Sequence, residues 1–121
     1  MLKDKLFTIN EKQETANGCT YRLLLNPSHP IYEAHFPNNP VTPGACIMQI
    51  IKELAEELLH LPLQIDIVKS AKFLSTIHPR INNEITVELN LKTIAPNNYL
   101  LSAIVFDKET VFAKCCLGLK Y

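Results

Sequence analysis

The sequence predicts an α+β fold in which a curled antiparallel sheet wraps one long central helix. Two local patterns and the overall proportions carry that prediction. Residues 43–59 form one stretch with a helix start and a helix stop, apolar nearly all round in its first half. Residues 85–92 alternate apolar Ile85, Val87, Leu89 and Leu91 with polar Thr86, Glu88, Asn90 and Lys92, the period of a strand with one wet face. The chain has 121 residues, 47% of them hydrophobic and 20% charged, which suits a single domain over 1–121 with one core.

At the N-terminus, residues 5–9 and 20–25 are expected to pair as a hairpin whose turn contains Asn17-Gly18. Residues 26–43 hold five of the eight prolines and read as a long irregular loop. Loops of that length in compact domains tend to be functional or disordered, and His29, Tyr32, His35 and Phe36 argue for an ordered, functional one. Thr42-Pro43-Gly44 then reads as a helix start, with threonine as N-cap and proline at the first helical position, where a missing N–H does no harm. Between residues 45 and 51 the only polar side chain is Gln49, so this half is expected to be buried nearly all round. Lys52, Glu53, Glu56 and Glu57 make the second half amphipathic, and His60 and Pro62 end the helix.

Residues 63–73, 85–92, 100–106 and 111–119 complete the strands, with turns at Pro96-Asn97-Asn98 and Asp107-Lys108-Glu109-Thr110. The order is two strands, loop, helix, four strands. One apolar helix and a run of antiparallel strands bury their faces together if the sheet curls around the helix, which is the hot-dog fold. A single unit leaves a sheet edge open, so a side-by-side homodimer, with assembly beyond it left open, is expected.

Twelve basic and twelve acidic side chains cancel, so no overall field favours nucleic acid or an anionic membrane. The N-terminus shows neither a signal-peptide pattern nor a membrane span, and a soluble cytoplasmic protein is the expectation. Cys19, Cys46, Cys115 and Cys116 have no metal-binding spacing and read as reduced, mostly buried thiols. Cys46, near the helix start, is surrounded by apolar residues and reads as core packing rather than as a nucleophile. His29, His35, His60 and His78 are scattered, so neither a metal site nor a cofactor is expected.

The segment His35-Phe36-Pro37-Asn38-Asn39-Pro40-Val41-Thr42-Pro43-Gly44 closely resembles the signature of the 3-hydroxyacyl-[acyl-carrier-protein] dehydratases, in which a His-Phe-Pro turn leads through Pro-Val-x-Pro-Gly into the central helix. Ala71-Lys72-Phe73 resembles the family's Ala-Arg-Phe on the following strand. The resemblance implies dehydration of a 3-hydroxyacyl thioester, with two subunits sharing each site and an acyl carrier protein delivering the substrate.

Such an elimination needs a base for the α-proton, a donor for the thioester oxygen and an acid for the departing hydroxyl. His35 falls at the family's histidine and suits the base. Gly44 is the expected oxyanion donor, through free N–H groups at a helix start that a side chain does not shield. The third role departs from the family pattern: the acidic position fourteen residues after the histidine is Gln49, while Glu53, one turn on, stands where the family commonly has glutamine. Gln49 is expected to hold the hydroxyl and Glu53 to supply the proton from a displaced position. Phe36, Pro43, Ala45 and Met48 are the candidate substrate-binding residues, and Lys69, Lys72 and Arg80 the candidate contacts to an acidic carrier protein. Because of Gln49, three other functions stay open: an acyl thioesterase, a non-catalytic acyl-carrier or acyl-chain binding module, and a partner that lends its histidine to an active homologue.

Overall fold

The computed structural model describes residues 1–34 and 38–121. The elements in chain order are β1 (Phe7–Thr15), β2 (Gly18–Leu25), α1 (Ile31–Ala34), α2 (Gly44–Leu59), β3 (Gln64–Phe73), β4 (Glu84–Ala95), β5 (Asn98–Asp107) and β6 (Thr110–Lys120). The six strands form one sheet in the order β1-β2-β4-β5-β6-β3, and each neighbouring pair is antiparallel. This is the hot-dog arrangement expected from the sequence, with the 16-residue α2 against the sheet.

Register explains why the sheet has a dry face. Tyr21 pairs with Val87, Val87 with Val105, and Val105 with Ala113, so one buried row crosses four strands. A second row runs through Cys19, Leu89, Ala103 and Cys115. Strand periodicity places both rows on one face, where Ile47, Ile50, Ile51, Leu54 and Ala55 of α2 join the same core. Each large aliphatic side chain so buried contributes about 1.5–3 kcal/mol.

Several boundaries differ from expectation for identifiable reasons. β1 runs to Thr15, although Glu11, Lys12, Gln13 and Glu14 show no apolar alternation. Its polar side chains are those of an edge strand, and Lys12 is held from outside β1 by Glu57 of α2 at 3.2 Å. Glu57 also accepts a short hydrogen bond from the buried Tyr21 hydroxyl, so one carboxylate ties β1 and β2 to the helix. Gly18 lies in β2 and not in the turn, and its φ is not positive. A Cβ there would collide with the Leu89 carbonyl, so the glycine serves close strand approach. The turn residue with positive φ between β4 and β5 is Asn97, at 61°.

The loop before α2 is not wholly irregular. Residues Ile31–Ala34 form one helical turn, started by the Ile31 N–H donating to His29 Nδ1 at 3.1 Å. At its other end α2 stops at His60, which takes the left-handed conformation (φ 56°) that often closes a helix.

The two sheet edges differ in character. β1 is polar, whereas β3 leaves Ile67, Val68 and Phe73 exposed on the opposite edge, with Leu74 exposed just beyond it. No described helix is long and apolar enough to cross a membrane.

Leu54, completely buried on the inner face of α2, is expected to cost about 2–5 kcal/mol when changed to alanine, because the site cannot collapse around the lost atoms. Urea denaturation of Leu54→Ala against wild type measures this.

Candidate active site

The start of α2 is positioned by two fastenings. The Thr42 N–H donates to the Ile77 carbonyl at 2.9 Å, and the Thr42 hydroxyl meets the Tyr32 hydroxyl at 3.0 Å, both side chains being buried. Threonine is therefore used to staple α1 to the loop and not to cap α2. The N-cap is Pro43 (φ −61°, ψ 147°), with no side-chain cap, one residue later than the sequence reading placed it. The Ile47 N–H makes the first helical bond, to the Pro43 carbonyl at 3.0 Å. The N–H groups of Gly44, Ala45 and Cys46 precede that bond, so the helix opens with three donors outside its own ladder.

Gly44 is a glycine for a reason the sequence did not disclose. A Cβ at this position would lie 2.9–3.2 Å from three ring atoms of Phe73, so the space left by the missing side chain is occupied by that ring. Phe73 is 47% exposed and forms a lid across the Gly44 α-carbon, on the flank where open access had been expected. It is the third residue of the Ala71-Lys72-Phe73 match, and a connection between that segment and the helix start was not legible from spacing.

His35 and Phe36, the expected base and its neighbour, lie outside the described residues. Pro43 and Met48 are half-buried, Met48 against the core, and Ala45 is exposed at the helix start. Gln49 is half-buried.

Glu53 departs from expectation. It is not on the wet side of the helix but only 2% exposed, and its carboxylate is fully engaged. The Leu2 N–H donates to both oxygens at 2.9 Å, the Lys3 N–H donates to Oε1 at 2.9 Å, and Gln49 Nε2 donates to Oε2 at 2.8 Å. Burial by itself pushes the Glu53 carboxyl up, but the Leu2, Gln49 and Lys3 donors outweigh it and hold the group below its ordinary value. A carboxylate held ionised in this way has no proton to hand to a leaving group at neutral pH. Engagement of both oxygens by these donors was not anticipated in the reading of Glu53 as acid. Sequence could not reveal the Leu2 and Lys3 donors, because they are main-chain amides some fifty residues away.

Lys69 and Lys72 lie exposed on β3 and Arg80 exposed in the β3–β4 connection. Burial raises the thiols of Cys46 and Cys115 above their ordinary values, which fits inert packing. No cluster of metal-ligating side chains occurs among the described residues.

Comparison with known proteins adds the lineage. Residues 10–112 match the model of the ApeI-like family, described as ApeI dehydratase. Comparison with curated proteins gives no match. Among solved structures, a chain of the dehydratase heterocomplex ApeI:P from Xenorhabdus doucetiae superposes with a TM-score of 0.79 at 19% identity, covering 94% of this chain and 97% of that one. A mutant of the thioesterase PA1618 from Pseudomonas aeruginosa superposes with a TM-score of 0.65 at 10% identity, covering 91% of this chain and 78% of that one. At such identities these likenesses speak for the fold.

The anchored carboxylate has a pH signature. Its folded-state pKa lies below the unfolded one, so its contribution is present above the ordinary glutamate range, near ~4.3, and is lost as pH falls through the folded-state value. Glu53→Gln is expected to destabilise the fold by about 1–3 kcal/mol near neutral pH, with the gap to wild type narrowing as the medium is acidified below that range. Denaturation series at neutral and acidic pH compare the two proteins.

Proposed function

Since this chain belongs to the ApeI-like dehydratase family, we propose that it removes water from 3-hydroxyacyl thioesters carried on an acyl carrier protein, giving trans-2-enoyl thioesters for fatty-acid or polyene-type biosynthesis. The observation that carries this reading is the opening of α2, three N–H groups outside the helical ladder that begin at Gly44, the last residue of the His35–Gly44 segment. His35 takes the proton from C2. The electron pair moves into the thioester carbonyl, whose developing oxyanion is met by the N–H groups at the helix start. Collapse of that enolate forms the C2–C3 double bond and breaks the C3–O bond, and the departing hydroxyl takes a proton to leave as water. The acid this chain then offers is the imidazolium of His35 itself, since Gln49 does not titrate and Glu53 is held ionised. Phe36, Pro43, Ala45 and Met48 border the acyl group.

The exposed Ile67, Val68 and Phe73 of the β3 edge, with Leu74 beyond it, support side-by-side pairing with a second subunit, which would shelter them and complete an acyl tunnel. A homodimer is the first reading. The second is pairing with a different hot-dog subunit that brings its own acid. Gln49 in the acidic position favours it, and the similar Xenorhabdus doucetiae chain is part of a heterocomplex. Lys69, Lys72 and Arg80 supply the positive charge for an acidic carrier protein.

The test is to incubate the purified chain with a 3-hydroxyacyl thioester and follow enoyl absorbance and free thiol together. Enoyl product without free thiol is expected, and free thiol alone would make it a thioesterase. His35→Ala is expected to lower turnover by about 10²–10⁴-fold. Activity that appears only when a second hot-dog subunit is added decides for the heteromeric reading.

Charge reversal at Lys69, Lys72 and Arg80 is expected to weaken binding of the carrier-linked substrate while leaving turnover of a pantetheine thioester intact. Affinity for the carrier protein should also fall as salt is raised. Titration at two ionic strengths measures both effects.

A further inference from the structure

We infer that Glu53 is a positioning residue that sets the polarity of Gln49: tethered by the Leu2 and Lys3 amides, it draws in the Gln49 amino group and leaves the carbonyl oxygen as the functional edge, so that Gln49 selects a hydroxyl over an oxo group at C3. This rests on the proposal that a 3-hydroxyacyl thioester lies along the start of α2.

An amide has a donor edge and an acceptor edge, and a packed structure alone does not say which faces a neighbour. Here chemistry decides, because an ionised carboxylate has only acceptors. The edge of Gln49 turned toward Glu53, at 2.8 Å, is therefore the NH₂ edge. Residues four apart share a helix face, so the contact is made within α2 and survives any movement of the loop before it.

Glu53 cannot turn to suit a different Gln49. Both of its oxygens are engaged by main-chain amides of the N-terminal segment, and the side chain is almost wholly buried. The N-terminal segment thus acts as a clamp whose effect is felt one helical turn away. Gln49 itself is half-buried, and among the described residues no donor reaches its Oε1.

An acceptor oriented in this way has a defined preference. A 3-hydroxyl group can donate to it. A 3-oxo group has only lone pairs to offer, and facing them with another oxygen leaves both unpaired. Gln49 would therefore bind the hydroxyl without protonating it, and would reject the oxidised counterpart of the substrate. That is a useful discrimination, since a 3-oxoacyl thioester differs from the substrate by only two hydrogens, one on C3 and one on its oxygen.

The experiment uses the full chain and three pantetheine amides, in which nitrogen replaces the thioester sulfur so that the α-proton is too weakly acidic for turnover. The acyl groups are 3-hydroxy, 3-oxo and unsubstituted, of equal length, and binding is followed by calorimetry. Wild type is expected to bind the 3-hydroxy amide about five- to tenfold tighter than the other two, as for one added hydrogen bond. In Glu53→Gln the new side chain keeps its oxygen on the clamp and turns its NH₂ toward Gln49, which must flip. The 3-hydroxy to 3-oxo ratio is then expected to fall to about one, with the unsubstituted amide unaffected. Should Glu53→Gln not fold, Gln49→Met decides, because it should remove the hydroxyl preference and keep the affinity for the unsubstituted amide.

Equal wild-type binding of the 3-hydroxy and 3-oxo amides, or a hydroxyl preference that persists in Gln49→Met or folded Glu53→Gln, overturns the inference and leaves the dehydratase reading standing. Failure of all three amides to bind wild type overturns both.

Discussion

Wrapping one helix in a single sheet requires that every strand turn the same face inward, and that the helix reach the sheet with its polar groups satisfied. α2 meets the first condition with Ile47, Ile50, Ile51, Leu54 and Ala55, which enter the core beside the rows that begin at Tyr21 and Cys19. The second condition is harder, because the polar side chains of α2 cannot all point to water once the sheet has curled. Glu53 and Glu57 show two solutions. Glu57 accepts from the Tyr21 hydroxyl and pairs with Lys12, while Glu53 is taken up by backbone amides of the chain's first residues. In each case a carboxylate that begins as a cost of burial becomes a fastening between the helix and a distant part of the chain.

The same constraint shapes the proposed chemistry. The first half of α2 is where substrate would lie, and its opening donors lie outside the helix's own ladder, with Pro43 as a cap that offers no side chain and Thr42 occupied with Tyr32 and Ile77. Phe73 covers the α-carbon of Gly44, so β3 contributes to the helix start as well as to the sheet edge. A subunit pairing along β3 would therefore act on the same region as the opening N–H groups of α2. This links assembly to the site without invoking any long-range movement.

Membership of the ApeI-like dehydratase family supports hot-dog enzyme chemistry of the dehydratase type. Gln49 cannot titrate and the Glu53 carboxylate is engaged by Leu2, Lys3 and Gln49, so the proposed elimination would need its leaving-group proton from another group.

From the sequence alone came the helix, read from its apolar run and its proline and histidine ends, and the later strands, read from alternation. The motif from His35 to Gly44 pointed to the reaction class, because a histidine before a proline-glycine helix start is local information. Other features belonged to tertiary structure. Nothing local marks residues 11–14 as strand, since an edge strand with wet faces lacks the apolar alternation that burial imposes. Thr42 looked like a cap, and only its distance to Tyr32 shows it spent elsewhere. Glu53 looked like a candidate acid, and its role turned on the amides of Leu2 and Lys3, which carry no side-chain signature. A sequence determines which groups are available; the pairing of distant backbone donors, and hence the charge and orientation of a buried side chain, is decided only when the chain has folded.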